Sequence, residues 1–150
     1  MKIIKQPNPW SCLPTALAMV LDESSYDLIK EIGHDGSEEI VFSPRRKGKK
    51  GFHIQELTKL CCKRRKALIQ FDRYVNIHHS EGITVSFSDD IEYIYTLMHD
   101  NKGILLGQTK DNKDHAVAWD GEKIYDPNGT IYAKGFFAIE TFLLIKNLEA

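Results

Sequence analysis

The segment that most constrains the fold of this chain is LPTALAMVL, which spans residues 13–21. Coiled into a helix, these residues present apolar side chains in almost every direction, with Thr15 as the polar exception. Such a helix has to be buried on all sides, so the rest of the chain must supply a core that encloses it. A chain of 150 residues is long enough to do this within one domain, and we predict a single domain over residues 1–150.

The remaining pattern predicts further helices first and most of the strands later. Helices are predicted at 25–32 with Gly33 as the stop, from residue 53 onward, and at 89–99 with Asp89 as the N-cap. Strands are predicted at 2–5, 67–75, 103–108, 115–120 and 122–126, an exposed loop at 43–51, and either a strand or a short helix at 135–145. This order indicates an α+β fold, with a helical N-terminal part packed on a C-terminal antiparallel sheet.

The composition limits the classes of partner. Hydrophobic residues make up 42% and charged residues 27% of the chain, and the formal net charge of −1 provides no general attraction to nucleic acid or to anionic membranes. No apolar run is long enough for a membrane span, and the N-terminal MKIIKQPNPW contains no apolar stretch long enough for the centre of a signal peptide. Three cysteines, an odd number, suit a reducing compartment. We therefore expect a cytoplasmic protein that contacts neither membrane nor nucleic acid, and its oligomeric state stays open.

Cys12 lies directly before the apolar helix. Pro14 favours a helix start here, because a first-turn residue has no intrahelical partner for its N–H. The N–H groups and the dipole of a helix N-terminus favour the thiolate, which is the nucleophilic form of cysteine. Gln6 precedes Cys12 by six residues, and its amide and the Cys12 N–H are candidate donors to an oxyanion. Taken alone, a cysteine at a helix start is more often a small buried apolar residue, so a nucleophile also requires a base nearby.

A hairpin later in the chain supplies the candidate base. The sequence HAVAWDGEKIYD has an Asp-Gly pair at 120–121 between two alternating runs, which predicts a two-residue turn. In that register His115 lies opposite Asp126, with Cβ atoms about 4.5–5.5 Å apart and side chains on the same face. Asp126 is then the candidate that orients the imidazole of His115, the candidate general base. Asn128 is a second candidate orienter, ranked lower because it falls in the following turn, and a longer hairpin turn would change the register.

In this order, Gln6, Cys12, His115 and Asp126 resemble the C39-like branch of the papain-like cysteine peptidases. The opening QPNPWSCLPTALAMVL is similar to the Gln and Cys of that family and the helix that follows, and DHAVAWDGEKIYDPNG is similar to its His strand, turn and Asp-Pro. The resemblance implies a papain-like fold with the site in a cleft between a helical part and a sheet. It also implies an oxyanion donor at Gln6, a nucleophile at Cys12, a base at His115 and an orienter at Asp126.

The chain departs from that family next to the nucleophile. The family often has Gly after the Cys, whereas this chain has Leu13, which implies a narrower or differently shaped groove. Leu13 and Trp10 are therefore the candidate substrate-binding residues, although Trp10 is equally suited to covering the helix end. Members fused to exporters cleave leader peptides after paired glycines, and that substrate is not carried over because no membrane part is predicted here.

Two other groups of residues have less specific patterns. Nine of the twenty basic residues lie in RRKGKK at 45–50 and KRRK at 63–66, and such runs are more often solvated surface than a docking site for an acidic partner or nucleic acid. The adjacent pairs Cys61-Cys62 and His78-His79 lack the spacing of zinc ligands. We therefore expect no metal and no other cofactor.

Together these features predict a cysteine-type hydrolase that acts on peptide or isopeptide bonds of a peptide or protein substrate. The Cys12 thiolate would form an acyl-enzyme, with His115 as general base. Two alternatives stay open. One is a binding module on the same scaffold without turnover, with the basic segment 45–66 as its working surface, and the other is an acyltransferase or amidase that uses the same Cys-His-Asp site.

Overall fold

The computed structural model describes residues 1–44, 46–79, 84–89, 91–111 and 113–148, apart from the side chains of 42, 46, 75–79 and 84–89. Within these residues the chain is an α+β domain, as predicted, and has four helices: α1 (Cys12–Leu21), α2 (Ser25–Ile32), α3 (Ile54–Lys63) and α4 (Ile91–Met98). The strands are β1 (Glu39–Ser43), β2 (Arg46–Lys49), β3 (Lys66–Asp72), β4 (Tyr74–His79), β5 (Thr84–Asp89), β6 (Gly103–Gln108), β7 (Asp114–Trp119), β8 (Ile124–Tyr125), β9 (Ile131–Tyr132) and β10 (Ala138–Asn147). None of the described helices is long and apolar enough to cross a membrane.

Six strands form one antiparallel sheet in the order β3-β10-β6-β7-β8-β9. The last strand, β10, lies in the interior of the sheet between β3 and β6. Gly107 of β6 permits a close approach to β10, because a Cβ at this position would lie 1.9 Å from the carbonyl oxygen of Ala138. Two further sheets have two strands each, β1 with β2 and β4 with β5.

Helix α1 is enclosed on all sides, as its sequence requires. Residues 13–19 are buried, and the helix packs against β6, β7 and α2. Helices α1, α2 and α3 form the first helical layer, and α3 contributes Leu57 and Leu60 to the core around α1. Helix α1 begins at Cys12 and ends at Leu21, and the next residue, Asp22, is left-handed with φ 56°. Cys12 is therefore held at the end of a rigid, fully packed element.

The opposite face of the sheet is covered by α4. Ile94 and Met98 pack there against Phe142 and Trp119. The indole N–H of Trp119 donates to the carbonyl oxygen of Met98 at 2.9 Å, so the one polar atom of this large side chain is satisfied in the core. The sheet is consequently buried on both faces, with α1, α2 and α3 on one face and α4 on the other.

Arg64, directly after α3, ties the three helices of the first layer together. Its guanidinium donates to Glu23 at 2.6 and 2.9 Å and to Glu31 at 2.6 and 3.3 Å. These hydrogen bonds raise the pKa of Arg64 and lower the pKa of Glu31. Because Glu23 follows α1 and Glu31 belongs to α2, this residue of the KRRK run connects helices and is not simply a solvated charge.

Two of the predicted elements in the first half of the chain are replaced by other structures. In the segment predicted as a loop at 43–51, Ser43 ends β1 and residues 46–49 form β2, and the two strands make an exposed hairpin in which Lys47 pairs with Glu39 at 3.5 Å. Residues 2–5 form no strand, and the N–H of Ile4 instead donates to Sδ of Met19 at 3.2 Å. Both segments are too short for apolar periodicity to distinguish a strand from irregular chain.

Among the other predicted helices and strands, some have the predicted ends and others begin or end at different residues. Helix α2 has the predicted bounds and ends at Gly33, with φ 96°. The strand predicted at 67–75 divides into β3 and β4. The predicted helix cap, Asp89, is the last residue of β5, and its side chain lies outside the described residues. The segment 135–145 is mostly strand, since a 3₁₀ turn at Lys134–Phe136 leads into β10.

Candidate active site

His115 and Asp126 form the centre of the candidate site. His115 is the second residue of β7, and Asp126 directly follows β8, the neighbouring strand. The imidazole Nε2 lies 2.7 Å from Oδ1 of Asp126, and the two side chains are only 15% and 3% exposed. A carboxylate at this distance accepts the Nε2 proton, so Nδ1 is the ring nitrogen left to face another group.

The strands that carry these residues pair in a register that differs from the predicted one. Ala118 pairs with Tyr125, and Trp119 pairs with Ile124. The connecting turn therefore covers residues 120–123 and is two residues longer than the predicted Asp-Gly turn. The predicted direct opposition of His115 and Asp126 is wrong in this respect.

The carboxylate of Asp120 explains the longer turn, because it accepts the N–H groups of Glu122 at 2.8 Å and Lys123 at 2.7 Å. A register shift of two residues leaves every side chain on its original face of the sheet. His115 and Asp126 are then diagonal neighbours, a separation that an imidazole and a carboxylate still bridge.

Three donors hold the Asp126 carboxylate. The imidazole of His115 and the N–H of Asn128 both approach Oδ1, the latter at 2.9 Å, and the hydroxyl of Tyr132 donates to Oδ2 at 2.6 Å. Burial by itself would raise the pKa of Asp126, but these three hydrogen bonds outweigh burial and lower it. Burial and the neighbouring Asp126 raise the pKa of Tyr132, so its hydroxyl stays a donor. Asp126 is therefore a buried anion with a fixed orientation.

Of the two predicted orienters, Asp126 is the one bonded to His115. The side-chain Oδ1 of Asn128 accepts the N–H of Thr130 at 3.0 Å and its hydroxyl at 2.6 Å, and so closes the turn. Tyr132 is a contributor that the sequence did not reveal. It lies in β9, six residues after Asp126, and no spacing rule connects a strand tyrosine with a turn aspartate at that distance.

Cys12 reaches the same imidazole from the helical side of the domain. It is the first residue of α1, is half-buried, and lies close enough to His115 to contribute to the shift of its pKa. Burial lowers the pKa of His115, but the hydrogen bonds and charges of Asp126 and Cys12 outweigh burial and raise the pKa to about 9. The imidazole is therefore protonated at neutral pH, and an imidazolium is the partner that stabilises a thiolate.

Gln6 lies beside this pair on a tightly bonded loop. Its backbone N–H donates to the carbonyl of Pro127 at 2.7 Å, which fastens the loop to the residue after Asp126. Its side-chain Nε2 donates to the carbonyl of Asn8 at 2.7 Å, and that carbonyl also accepts the hydroxyl of Ser11 at 3.1 Å. A primary amide carries two N–H donors, so one remains for a ligand.

The two residues predicted to bind substrate have different surroundings. Leu13 is 9% exposed and packs in the core around α1, which corrects the prediction that it lines a groove. Because the helix begins at Cys12, the next side chain already points into the packed layer. Trp10 is half-buried, with Nζ of Lys49 5.3 Å from its ring centroid and Gly36 so close that a Cβ there would lie 3.0 Å from its Cδ1. Its part in substrate binding stays a prediction.

The other two cysteines lie apart from this site. Cys61 is in the core beneath α1, where burial raises the pKa of its thiol to about 11, and Cys62 is exposed on α3. The side chains of His78 and His79, on β4, are outside the described residues. Among the side chains that are described, no group of three or more His, Cys, Asp or Glu is placed to hold a metal ion.

A cavity of about 1050 Å³ opens beside the imidazole. Its lining includes Gln6, His115, Asp126, Tyr132 and Phe136. Three of the four predicted catalytic residues therefore border one space, and the fourth, Cys12, interacts with His115 at its edge but is not among the described residues of the lining.

Neither a protein-family model nor a curated protein or solved structure matches this chain. The geometry itself defines the kind of site. A thiol at a helix N-terminus, an imidazole on a strand and a buried carboxylate behind the imidazole can together supply a nucleophilic thiolate and a proton donor.

Proposed function

We propose that this protein is a cysteine peptidase with a papain-like fold of the C39-like type, which hydrolyses peptide or isopeptide bonds through an acyl-enzyme on Cys12. One observation carries the proposal: the imidazole of His115 bonds the buried Asp126 through Nε2 at 2.7 Å, and Cys12, at the start of α1, is close enough to the same imidazole to help raise its pKa. The layering supports it, because Cys12 begins a buried helix while His115 and Asp126 lie on the sheet, as in a papain-like peptidase.

In the proposed acylation step, the Cys12 thiolate attacks the carbonyl carbon of the scissile bond. Negative charge moves to the carbonyl oxygen, which accepts from the free N–H of the Gln6 amide and from the Cys12 N–H, since the first N–H of a helix has no intrahelical partner. As the tetrahedral intermediate collapses, the C–N bond breaks and His115 gives its proton to the departing amine. The products of this step are the free amine and a thioester on Cys12.

Water completes the proposed cycle. Neutral His115 takes a proton from the water as it attacks the thioester, and the carbon–sulfur bond then breaks to restore the thiolate and the imidazolium. Asp126 exchanges no proton in either step. It keeps Nε2 protonated and Nδ1 directed at the thiol, and Tyr132 and the Asn128 N–H keep the carboxylate in place.

Removing the thiol tests this proposal. The parent protein and the variant that lacks Cys12 both carry Cys62→Ser, because Cys62 is exposed. Cys61 is buried in both. The Cys62→Ser protein should react once with an acyloxymethyl ketone probe and should cleave members of a short-peptide library, read by mass spectrometry. The Cys12→Ala/Cys62→Ser protein should do neither, while its circular dichroism spectrum stays the same.

Two results of this experiment would contradict the proposal. One is equal labelling of the two proteins, which would place the reactive group elsewhere. The other is peptide hydrolysis that survives the loss of Cys12, which would assign the chemistry to another residue.

A further inference from the structure

The cavity beside His115 occupies one side of the proposed site. Its walls include Gln6, His115 and Asp126, whereas Cys12 is not among the described residues that line it. Its volume of about 1050 Å³ is in the range of pockets that enclose a small ligand, so it has room for one or two amino-acid side chains. An occupant of this space would touch the imidazole before it touched the thiol.

Phe136 provides an apolar wall of the cavity. Two consecutive phenylalanines diverge where the 3₁₀ turn meets β10, since Phe137 is 6% exposed in the core and Phe136 is 60% exposed. The ammonium of Lys110 lies 5.2 Å from the ring centroid of Phe136. Because Phe136 buries little surface, packing of the core does not account for an aromatic residue at this place.

The charged residues around the cavity carry both signs. Besides the paired His115 and Asp126, the positive residues are Lys5, Lys110 and Lys113, and the negative residues are Asp111 and Asp114. A mixed set of charges attracts neither acidic nor basic side chains strongly. The apolar surface of Phe136, continued by Pro7, Pro9 and Tyr132, is therefore the part of the lining that discriminates between occupants.

We infer that this cavity binds the residue on the amine side of the scissile bond, and that Phe136 makes an apolar or aromatic side chain the preferred one there. The inference rests on the proposed function. His115 protonates the departing amine, so that amine lies on the His115 side of the thiol, where the cavity is. The same place receives an amine that attacks the thioester: its nitrogen bonds to the carbonyl carbon, His115 takes its proton, and the carbon–sulfur bond breaks.

The preference can be measured without a known substrate, from how an acyl-enzyme divides its acyl group between water and added amines. In the Cys62→Ser protein, p-nitrophenyl acetate acylates Cys12 and releases a burst of p-nitrophenol, which Cys12→Ala abolishes. Phenylalaninamide, leucinamide, alaninamide and glycinamide then compete with water for the acetyl group, and the acetylated products are quantified. We expect phenylalaninamide to be used about tenfold better than glycinamide, a ratio typical of an apolar subsite.

Two variants test whether Phe136 causes the preference for phenylalaninamide over glycinamide. Phe136→Ala should reduce the ratio to below about threefold, since the apolar wall is lost. The ratio is measured within each protein and does not depend on its active fraction. Tyr26→Ala is the matched control, because Tyr26 is an aromatic residue of α2 that is 70% exposed and does not line the cavity. Its ratio should equal that of the parent protein.

The outcomes separate this inference from the proposed function. A burst with no preference among the amides, or a preference that persists in Phe136→Ala, would overturn the inference and leave the peptidase proposal standing. Absence of a burst in the parent protein would overturn the proposed function and the inference with it.

Discussion

Replacing Asp126 with asparagine separates the charge of this side chain from its shape. The asparagine oxygen can still accept from the imidazole of His115 and from the N–H of Asn128, as Oδ1 does now. Its NH₂ group can donate to the hydroxyl of Tyr132, which at present donates to Oδ2 at 2.6 Å. The variant should therefore fold with the same contacts. What it loses is the negative charge behind the imidazolium.

The size of the effect follows from the pKa of His115. That pKa is raised from 6.5 to about 9, a difference worth about 3 kcal/mol in favour of the protonated ring at about 1.4 kcal/mol per unit. Asp126 and Cys12 share this stabilisation, and burial opposes it. Without the carboxylate charge the burial remains, so we expect the pKa of His115 to fall by at least about one unit. The ratio kcat/KM should decrease by up to about 100-fold near neutral pH.

The pH dependence of both activity and stability checks this reasoning. In the wild type, loss of the imidazolium should give an alkaline limb of kcat/KM near pH 9, the pKa of His115. A raised pKa stabilises the fold fully below pH 6.5, and this contribution is lost as the pH rises through about 9. In Asp126→Asn the alkaline limb should move to lower pH, and urea titrations should show a smaller decrease in unfolding free energy over the same interval. An alkaline limb that stays near pH 9 in the variant would refute the role given to Asp126.

Two further substitutions test the support of the site and the packing of the sheet. Tyr132→Phe removes the donor to Oδ2 of Asp126, so we expect kcat to fall about tenfold. The acid limb of the pH–rate profile should move to higher pH, because the pKa of Asp126 rises. An unchanged pH–rate profile would contradict a positioning role for Tyr132. Gly107→Ala places a Cβ 1.9 Å from the carbonyl oxygen of Ala138, and urea unfolding should show a loss of about 3 kcal/mol or more. Gly135→Ala is the control, because no atom beyond its two chain neighbours would lie within 4 Å of the added Cβ. Equal stability of the two variants would argue against the close approach of β6 and β10.

The helical part of the fold was predictable because its signals are local. The all-round apolar character of 13–21 required a buried helix, and Gly33 marked the end of α2 correctly. The order of strands in the sheet was not predictable, since no local pattern states that β10 inserts between β3 and β6. The hairpin of β1 and β2 was missed for another reason, because neither EIVFS in β1 nor the mostly charged RKGK in β2 alternates apolar with polar residues as a half-buried strand does.

The candidate site was predictable where residue type and spacing carry chemistry. Cys12, His115 and Asp126 were predicted from a helix start and a hairpin, and the structure brings them together. Tyr132 was missed because tyrosine is an ordinary strand residue and only the folded turn brings its hydroxyl to Asp126. Leu13 was misjudged because its direction depends on the residue at which α1 begins, and helix boundaries are the least certain part of a pattern.

The contact between His115 and Asp126 forms although the observed register of the hairpin differs from the predicted one. Side chains alternate across a strand with a period of two, so the observed shift of two residues keeps the imidazole and the carboxylate on one face, whereas a shift of one would separate them. The longer turn has a second consequence. It leaves Asp126 just past the end of β8, where Gly129 N–H closes a turn on the Asp126 carbonyl at 2.9 Å and the chain returns as β9. Through this second turn Tyr132 reaches the far oxygen of the carboxylate, and Asp126 is held between the imidazole and the phenol.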